Sequence, residues 1–237
     1  MILISLQLKT SSSFEKNLYK LEKHIANSPQ NSFILFPELF LTSYSYERLE
    51  DAVKMTQKAT ELLTIFSRHK TIAITMITKH NDRYYNTLHI FHKGKIVHTQ
   101  SKAKLFVLDD ERKYFTAGRE NDIKIIDIDG IKVASLICFE LRFIELWKKV
   151  QGADIILVPA MWGKARKENY ETLTSALAVA NQCYVVASNS ANKNMAKSSA
   201  IITPFGKVTK DDQKKRLSLE FLPKEIKVMR RYLNTGI

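Results

Sequence analysis

Cysteine is nearly absent from this chain: Cys138 and Cys183 are the only two in 237 residues, too few to staple a small secreted scaffold. Glycine and proline are also scarce, at 7 and 5. That excludes collagen-like and low-complexity chains and leaves no flexible linker between domains. No apolar run approaches the ~20 residues that a membrane-spanning helix needs. Met1–Leu8 (MILISLQL) has no basic stretch before it and no small-residue cleavage site after it, so no secretory signal is expected. Neither a G-x-G-x-x-G element nor a phosphate-binding loop motif occurs, which removes sequence support for a nucleotide cofactor. A cytoplasmic protein with no cofactor and no membrane partner is the expectation.

What remains is a globular composition, 45% hydrophobic, 10% aromatic and 26% charged, in a chain long enough to bury a core unaided. One domain over residues 1–237 is the simplest organisation. The 37 basic residues outnumber the 24 acidic ones, giving a formal charge of +13, so polyanionic partners have to be weighed. The densest basic runs are Lys93–Lys104, Lys210–Arg216 and Lys224–Arg231. The second contains Asp211 and Asp212, the third belongs to a helix with a solvated charged face, and no nucleic-acid partner is expected. His89 and His92 stand three apart on a predicted strand and so point to opposite faces; with His98 they do not suggest a metal site.

Short apolar runs alternate with amphipathic ones. Strands are predicted at Met1–Leu8, Ser32–Phe36 and Thr71–Thr78, separated by helices through Leu18–Ile25, with caps at Ser11–Ser13, and over about Leu49–His69. From Tyr84 the pattern turns to hairpins, one around Lys93-Gly94 and another at Asp129-Gly130. A strand then runs into Cys138, a helix covers Leu141–Val150, and Asp154–Val158 and Cys183–Ser188 flank a helix over Lys167–Asn181. A hairpin around Pro204–Gly206 and a helix from Pro223 complete the chain. Hairpins mixed with helical crossovers imply an α/β sandwich of layered sheets and helices.

Four residues carry possible chemistry. Cys138 lies where the strand VASLI meets a predicted helix, a place where unpaired N–H groups lower a thiol's pKa and where the N–H of Phe139 suits an oxyanion. Glu38 follows Pro37 at the mouth of an apolar strand, where desolvation suits a carboxylate to general-base work. Lys102 (in SKAKLF) and Glu111 (in DDERK) are anonymous by themselves. Cys183, inside a predicted buried strand, reads as core.

Their order along the chain resembles the nitrilase, or carbon–nitrogen hydrolase, superfamily. FPELFLTSY (Phe36–Tyr44) resembles that family's F-P-E-x-x-x-x-x-Y element, SKAKLF (Ser101–Phe106) its R-K-x-H-L-F element, and LICFELRFIE (Leu136–Glu145) its G-I-C-Y-D-x-R-F-P-E element. Gln7, Glu111 seven residues before Gly118, Gly152–Pro159, Tyr170-Glu171, Asn181-Gln182 and Pro204-x-Gly206 follow in family order. Departures are Glu140 for the usual Asp, Ile144 for Pro, Lys104 for His, Ala117 for Pro, and a Ser175–Gln182 helix with Ala180 in place of Glu.

The resemblance implies a four-layer α-β-β-α sandwich that assembles as a homodimer or higher homo-oligomer through helices flanking the site. It implies a cysteine-dependent hydrolase of a small linear amide, through a thioester, releasing ammonia. Cys138 is then the nucleophile, Glu38 the base, Lys102 the oxyanion partner and Glu111 the residue that orients it, with no metal and no cofactor. Phe139, Trp162 and Tyr170 are the expected substrate contacts. C-F-E-L-R-F is closer to the amidase branch with ω-amidases than to nitrilases. N-carbamoyl amidohydrolases, and a catalytically inert binding protein of the same fold, are the alternatives.

Overall fold

The computed structural model describes residues 1–236. Its two six-stranded sheets have mirrored orders, β12-β1-β2-β3-β4-β5 and β11-β10-β9-β8-β7-β6. The first sheet is built from β1 (Ile2–Leu6), β2 (Ser32–Leu35), β3 (Thr71–His80), β4 (Arg83–His92), β5 (Lys95–Ser101) and β12 (Arg216–Glu220). The second is built from β6 (Ile126–Ile128), β7 (Ile131–Ser135), β8 (Ile155–Ala160), β9 (Tyr184–Asn189), β10 (Ala200–Ile202) and β11 (Val208–Lys210). In each sheet the middle strands are parallel, β1-β2-β3 and β7-β8-β9, and antiparallel strands flank them.

Why the sheets sandwich is visible in the alternation of their side chains. On β1 and β2, Leu3, Phe33 and Leu35 join the core shared with the second sheet, whereas Ile4, Leu6 and Ile34 join a separate core under the helices. A strand apolar on both faces must be covered on both. The outer cover of the first sheet is α1 (Phe14–Ala26) and α2 (Leu49–Phe66). That of the second sheet includes α4 (Ile144–Lys149), α5 (Lys167–Ala180) and α6 (Pro223–Tyr232), which bury Leu146, Tyr170, Leu177 and Ile226. Buried serines cross between the sheets: Ser5 Oγ donates to the Ala187 carbonyl at 2.6 Å, and Ser188 Oγ donates to Leu6. The four-layer α-β-β-α order is the expected one.

Local signals behave as their chemistry dictates. Ser13 caps α1 by accepting from Lys16 N–H. The Lys93-Gly94 and Asp129-Gly130 turns have positive φ at both central residues, the conformation a two-residue hairpin demands. Three expectations are corrected. β12 was not anticipated, because RLSLE is short and flanked by charge; it pairs with β1 and closes the first sheet's edge. The first strand of the hairpin expected at Asp129-Gly130 is only three residues long, β6. The helix expected from Leu141 is a 3-10 turn, Cys138–Arg142, followed by α4.

Candidate active site

Every strand that feeds the site ends at the same edge of the sandwich. β2 leads through Pro37 to Glu38, β5 to Lys102, β7 to Cys138 and β8 to Met161 and Trp162. Carboxyl ends of strands are where open α/β sheets place ligands, because the loops there are free to vary. Glu111 opens α3 (Glu111–Tyr114), one turn of helix in the segment between β5 and β6.

Glu38, Lys102 and Glu111 are fully buried and form one network. Lys102 Nζ donates to Glu38 Oε1 at 2.9 Å and to Glu111 Oε1 and Oε2 at 2.8 and 3.0 Å. Glu38 Oε1 also accepts from Asn86 Nδ2 at 2.8 Å and from the Tyr44 hydroxyl at 2.9 Å, and its Oε2 accepts from Met161 N–H at 2.9 Å. The Tyr44 hydroxyl stands 3.3 Å from Glu111 Oε1, and Phe106 N–H donates to Glu111 Oε2. Burial alone would pull the lysine down; the carboxylates of Glu38 and Glu111 outweigh it and hold the ammonium well above the ordinary lysine range. Lys102 is therefore a permanent cation and a donor, not a base. Burial pushes Glu111 up, and Lys102 offsets part of that rise.

Cys138 reaches this network from the second sheet. It is 8% exposed and faces a pocket of about 130 Å³. Its φ is +49°, a left-handed conformation costly for a residue with a Cβ and common where a nucleophile is presented on a tight turn. The expectation that a helix terminus lowers its pKa is overturned: burial, then the Glu38 carboxylate, push the thiol well above its usual range, against the pull of Lys102 and the Met161 N–H. The resting group is a thiol, with a carboxylate beside it to take the proton.

Around this floor the pocket is lined by Phe106, Phe139, Arg142, Met161, Trp162 and Arg166 among others. Trp162 is fixed by its backbone N–H to Asn189 Oδ1 at 2.7 Å and by Nε1–H to the Arg166 carbonyl at 2.7 Å. The guanidinium of Arg142 lies 4.9 Å from the Trp162 ring centroid, and that of Arg166 5.2 Å from Phe106's. Phe139 and Trp162 line this pocket. Tyr170 does not: it is fully buried, its ring 5.3 Å from that of Trp162, and it backs the wall instead of lining it.

Three partners escaped sequence reasoning. Tyr44 stood in a quoted motif without a role, Asn86 looked like any residue of β4, and Met161 contributes a backbone N–H that no side-chain pattern reveals. The charged runs do other work. Arg216 donates to the His24 and Asn27 carbonyls at the end of α1, at 2.7 and 2.8 Å. Arg230 donates to Ala153 and lies 3.3 Å from Asp154. No helix of the described residues is long and apolar enough to cross a membrane.

Residues 4–219 match the family model of the carbon–nitrogen hydrolases. The chain is 31% identical over 211 residues to a 2-oxoglutaramate amidase of Bacillus subtilis (strain 168), covering 84% of this chain and 80% of that one. It is also 31% identical over 223 residues to a deaminated glutathione amidase of Escherichia coli O157:H7, covering 87% and 84%. Among solved structures it superposes on a mutant amidase from Nesterenkonia sp. AN1 with a TM-score of 0.83 at 16% identity, over 98% of this chain and 97% of that one. That protein carries the acetamide moiety of fluoroacetamide on its active-site cysteine. The matched span and these relatives make this chain a member of the carbon–nitrogen hydrolase family, an amidase-like enzyme acting on non-peptide carbon–nitrogen bonds.

Proposed function

We propose that the protein hydrolyses the terminal amide of a small, carboxylate-bearing substrate to a carboxylate and ammonia, through a thioester on Cys138. The observation that carries this reading is the meeting of a thiol, a buried carboxylate and a permanently charged ammonium at the floor of one small pocket. As Sγ of Cys138 attacks the amide carbon, its proton passes to Glu38. Lys102, with the Phe139 N–H, stabilises the oxyanion in a site where donors act undiluted by water. Glu38 returns the proton to the leaving nitrogen, the C–N bond breaks and ammonia departs. Water then attacks the thioester with Glu38 again as base, and the thiol is regenerated. Glu111 holds Lys102 from the far side and keeps its charge.

The carboxylate preference is supported by Arg142 and Arg166 at the pocket lining, since guanidinium forks match a carboxylate in geometry and charge. It agrees with relatives named for 2-oxoglutaramate and for ω-amides. Self-association through the outer faces of α4 and α5 belongs to the same proposal, supported by Ile144 and Val179, 54% and 51% exposed there; light scattering in solution checks it. The principal test is ammonia release from ω-amidated dicarboxylates, simple primary amides, N-carbamoyl amino acids and nitriles, with wild type and Cys138→Ala side by side. Release from ω-amides that the variant lacks is the expected result. Release confined to N-carbamoyl compounds or nitriles would overturn the substrate class, and undiminished release by Cys138→Ala would overturn the mechanism.

A further inference from the structure

Lys102 and Cys138 hang from different sheets, and no strand pairing fixes the distance between them. Gln100 Nε2 crosses to the Ser135 carbonyl at 3.2 Å, and one further side chain ties the residues next to Lys102 and Cys138 themselves. Glu140 is fully buried, and its Oε1 accepts from Ala103 N–H at 2.6 Å while its Oε2 accepts from Ile137 N–H at 2.7 Å. Ala103 directly follows Lys102, and Ile137 directly precedes Cys138. We propose that Glu140 is a positioning residue, a carboxylate clamp that sets where the Cys138 thiol stands relative to the Lys102 ammonium. The proposal rests on the reading of Glu38, Lys102 and Cys138 as the reacting set.

The clamp's ends are otherwise well prepared. Lys102 is pinned by its own N–H to the Asn86 carbonyl and by its carbonyl to Gly118 N–H, both at 2.8 Å. At the other end, the left-handed Cys138 needs an outside hold, because an unfavourable φ persists only where neighbours over-determine it. Both oxygens of Glu140 are committed, so the clamp closes fully only when the group is ionised and acceptor-only. Burial pushes its pKa up to about 7, against the pull of the Ile137 and Ala103 N–H groups, the Lys102 charge and the Lys104 N–H. Protonation puts a hydrogen on one oxygen and opens one half of the clamp. Activity should therefore fall as the pH drops through about 7.

The test compares Glu140→Gln and Glu140→Asp with wild type. Glutamine keeps the size but turns an NH2 group toward one of the two N–H donors, so one half of the clamp is open at every pH. A displacement on the order of 1 Å is worth about 10²-fold in rate. The expectation is therefore a kcat down by that factor in Glu140→Gln, with KM within about twofold because the pocket rim is untouched. The acidic limb near pH 7 should be absent from that variant. Asp restores two acceptors on a shorter stem and should recover at least about a tenth of the lost rate.

A second readout needs no substrate. Alkylation of Cys138 by iodoacetamide in the folded protein should show an inflection near pH 7 in wild type and none in Glu140→Gln, with folding checked by circular dichroism. Wild-type kcat and alkylation profile in Glu140→Gln would overturn the clamp, as would losses that merely track an unfolded fraction. If wild type turns over no amide while the alkylation profiles differ as described, the hydrolase reading fails and the clamp stands. Should Glu140→Gln not fold, the wild-type inflection and its shift in Glu140→Asp decide the matter alone.

Discussion

The neighbourhoods of Cys138 and Cys183 make a natural experiment. Both thiols are free and buried, and burial pushes both above the ordinary cysteine range. Acidity does not distinguish them. Cys183 has no exposure at all and leads into β9 behind the 3.3 Å Arg230–Asp154 pair, whose charges are already spent on each other. Cys138 sits on a left-handed turn at an opening, beside the Glu38 carboxylate and the Lys102 ammonium. Burial makes a core residue, and a nucleophile needs in addition a base, a cation and a way in.

The largest effect that can break this comparison is exchange of the two alanine variants. Cys138→Ala is expected to lose at least about 10³-fold in turnover with its melting temperature kept, and Cys183→Ala to keep full turnover; equal losses would erase the distinction. Next comes Glu38→Gln. Glu38 accepts from four donors, and no orientation of an amide satisfies them all. Loss of general-base action costs about 10²–10⁴-fold, read in the steady state. Rapid thioester accumulation in that variant would restrict Glu38 to the second step.

Gly118→Ala ranks third and tests the frame instead of the chemistry. A Cβ at Gly118 would stand 2.2 Å from the Ser101 carbonyl oxygen, so the strand end that carries Lys102 must move. Overpacking of this kind costs about 1–3 kcal/mol, measured by denaturant unfolding, and a loss of rate should accompany it. The smallest effect sharpens the cysteine pair. Iodoacetamide should label Cys138 in the native protein and Cys183 only after unfolding, and Cys183→Ala should cost about 1 kcal/mol for the atom it removes.

Most of the frame was legible from sequence because the central strands are apolar on both faces and the hairpins at Lys93-Gly94 and Asp129-Gly130 carry their own turn residues. Glu38, Lys102, Cys138 and Glu111 were legible through motif order, not through their surroundings. Nothing local to Lys102 distinguishes it among 37 basic residues. What the sequence hides is whatever depends on two segments meeting. Asn86 reaches Glu38 from across the first sheet, Met161 N–H reaches it from the second, and Tyr170 packs behind Trp162, a contact no periodicity records. The sign of the Cys138 shift was hidden for the same reason, since the helix terminus is local and the burial is not.

The raised pKa of Cys138 has a bearing on the protein's survival in a peroxide-bearing environment. Oxidation to sulfenic acid begins from the thiolate, and the ladder beyond sulfenic acid is hard to climb back down. A site that keeps its sulfur largely protonated at rest gives oxidants less thiolate to attack between turnovers. In the proposed mechanism the same buried carboxylate that makes the thiol reluctant to ionise, Glu38, takes its proton only as substrate is attacked, so reactivity and vulnerability are separated in time.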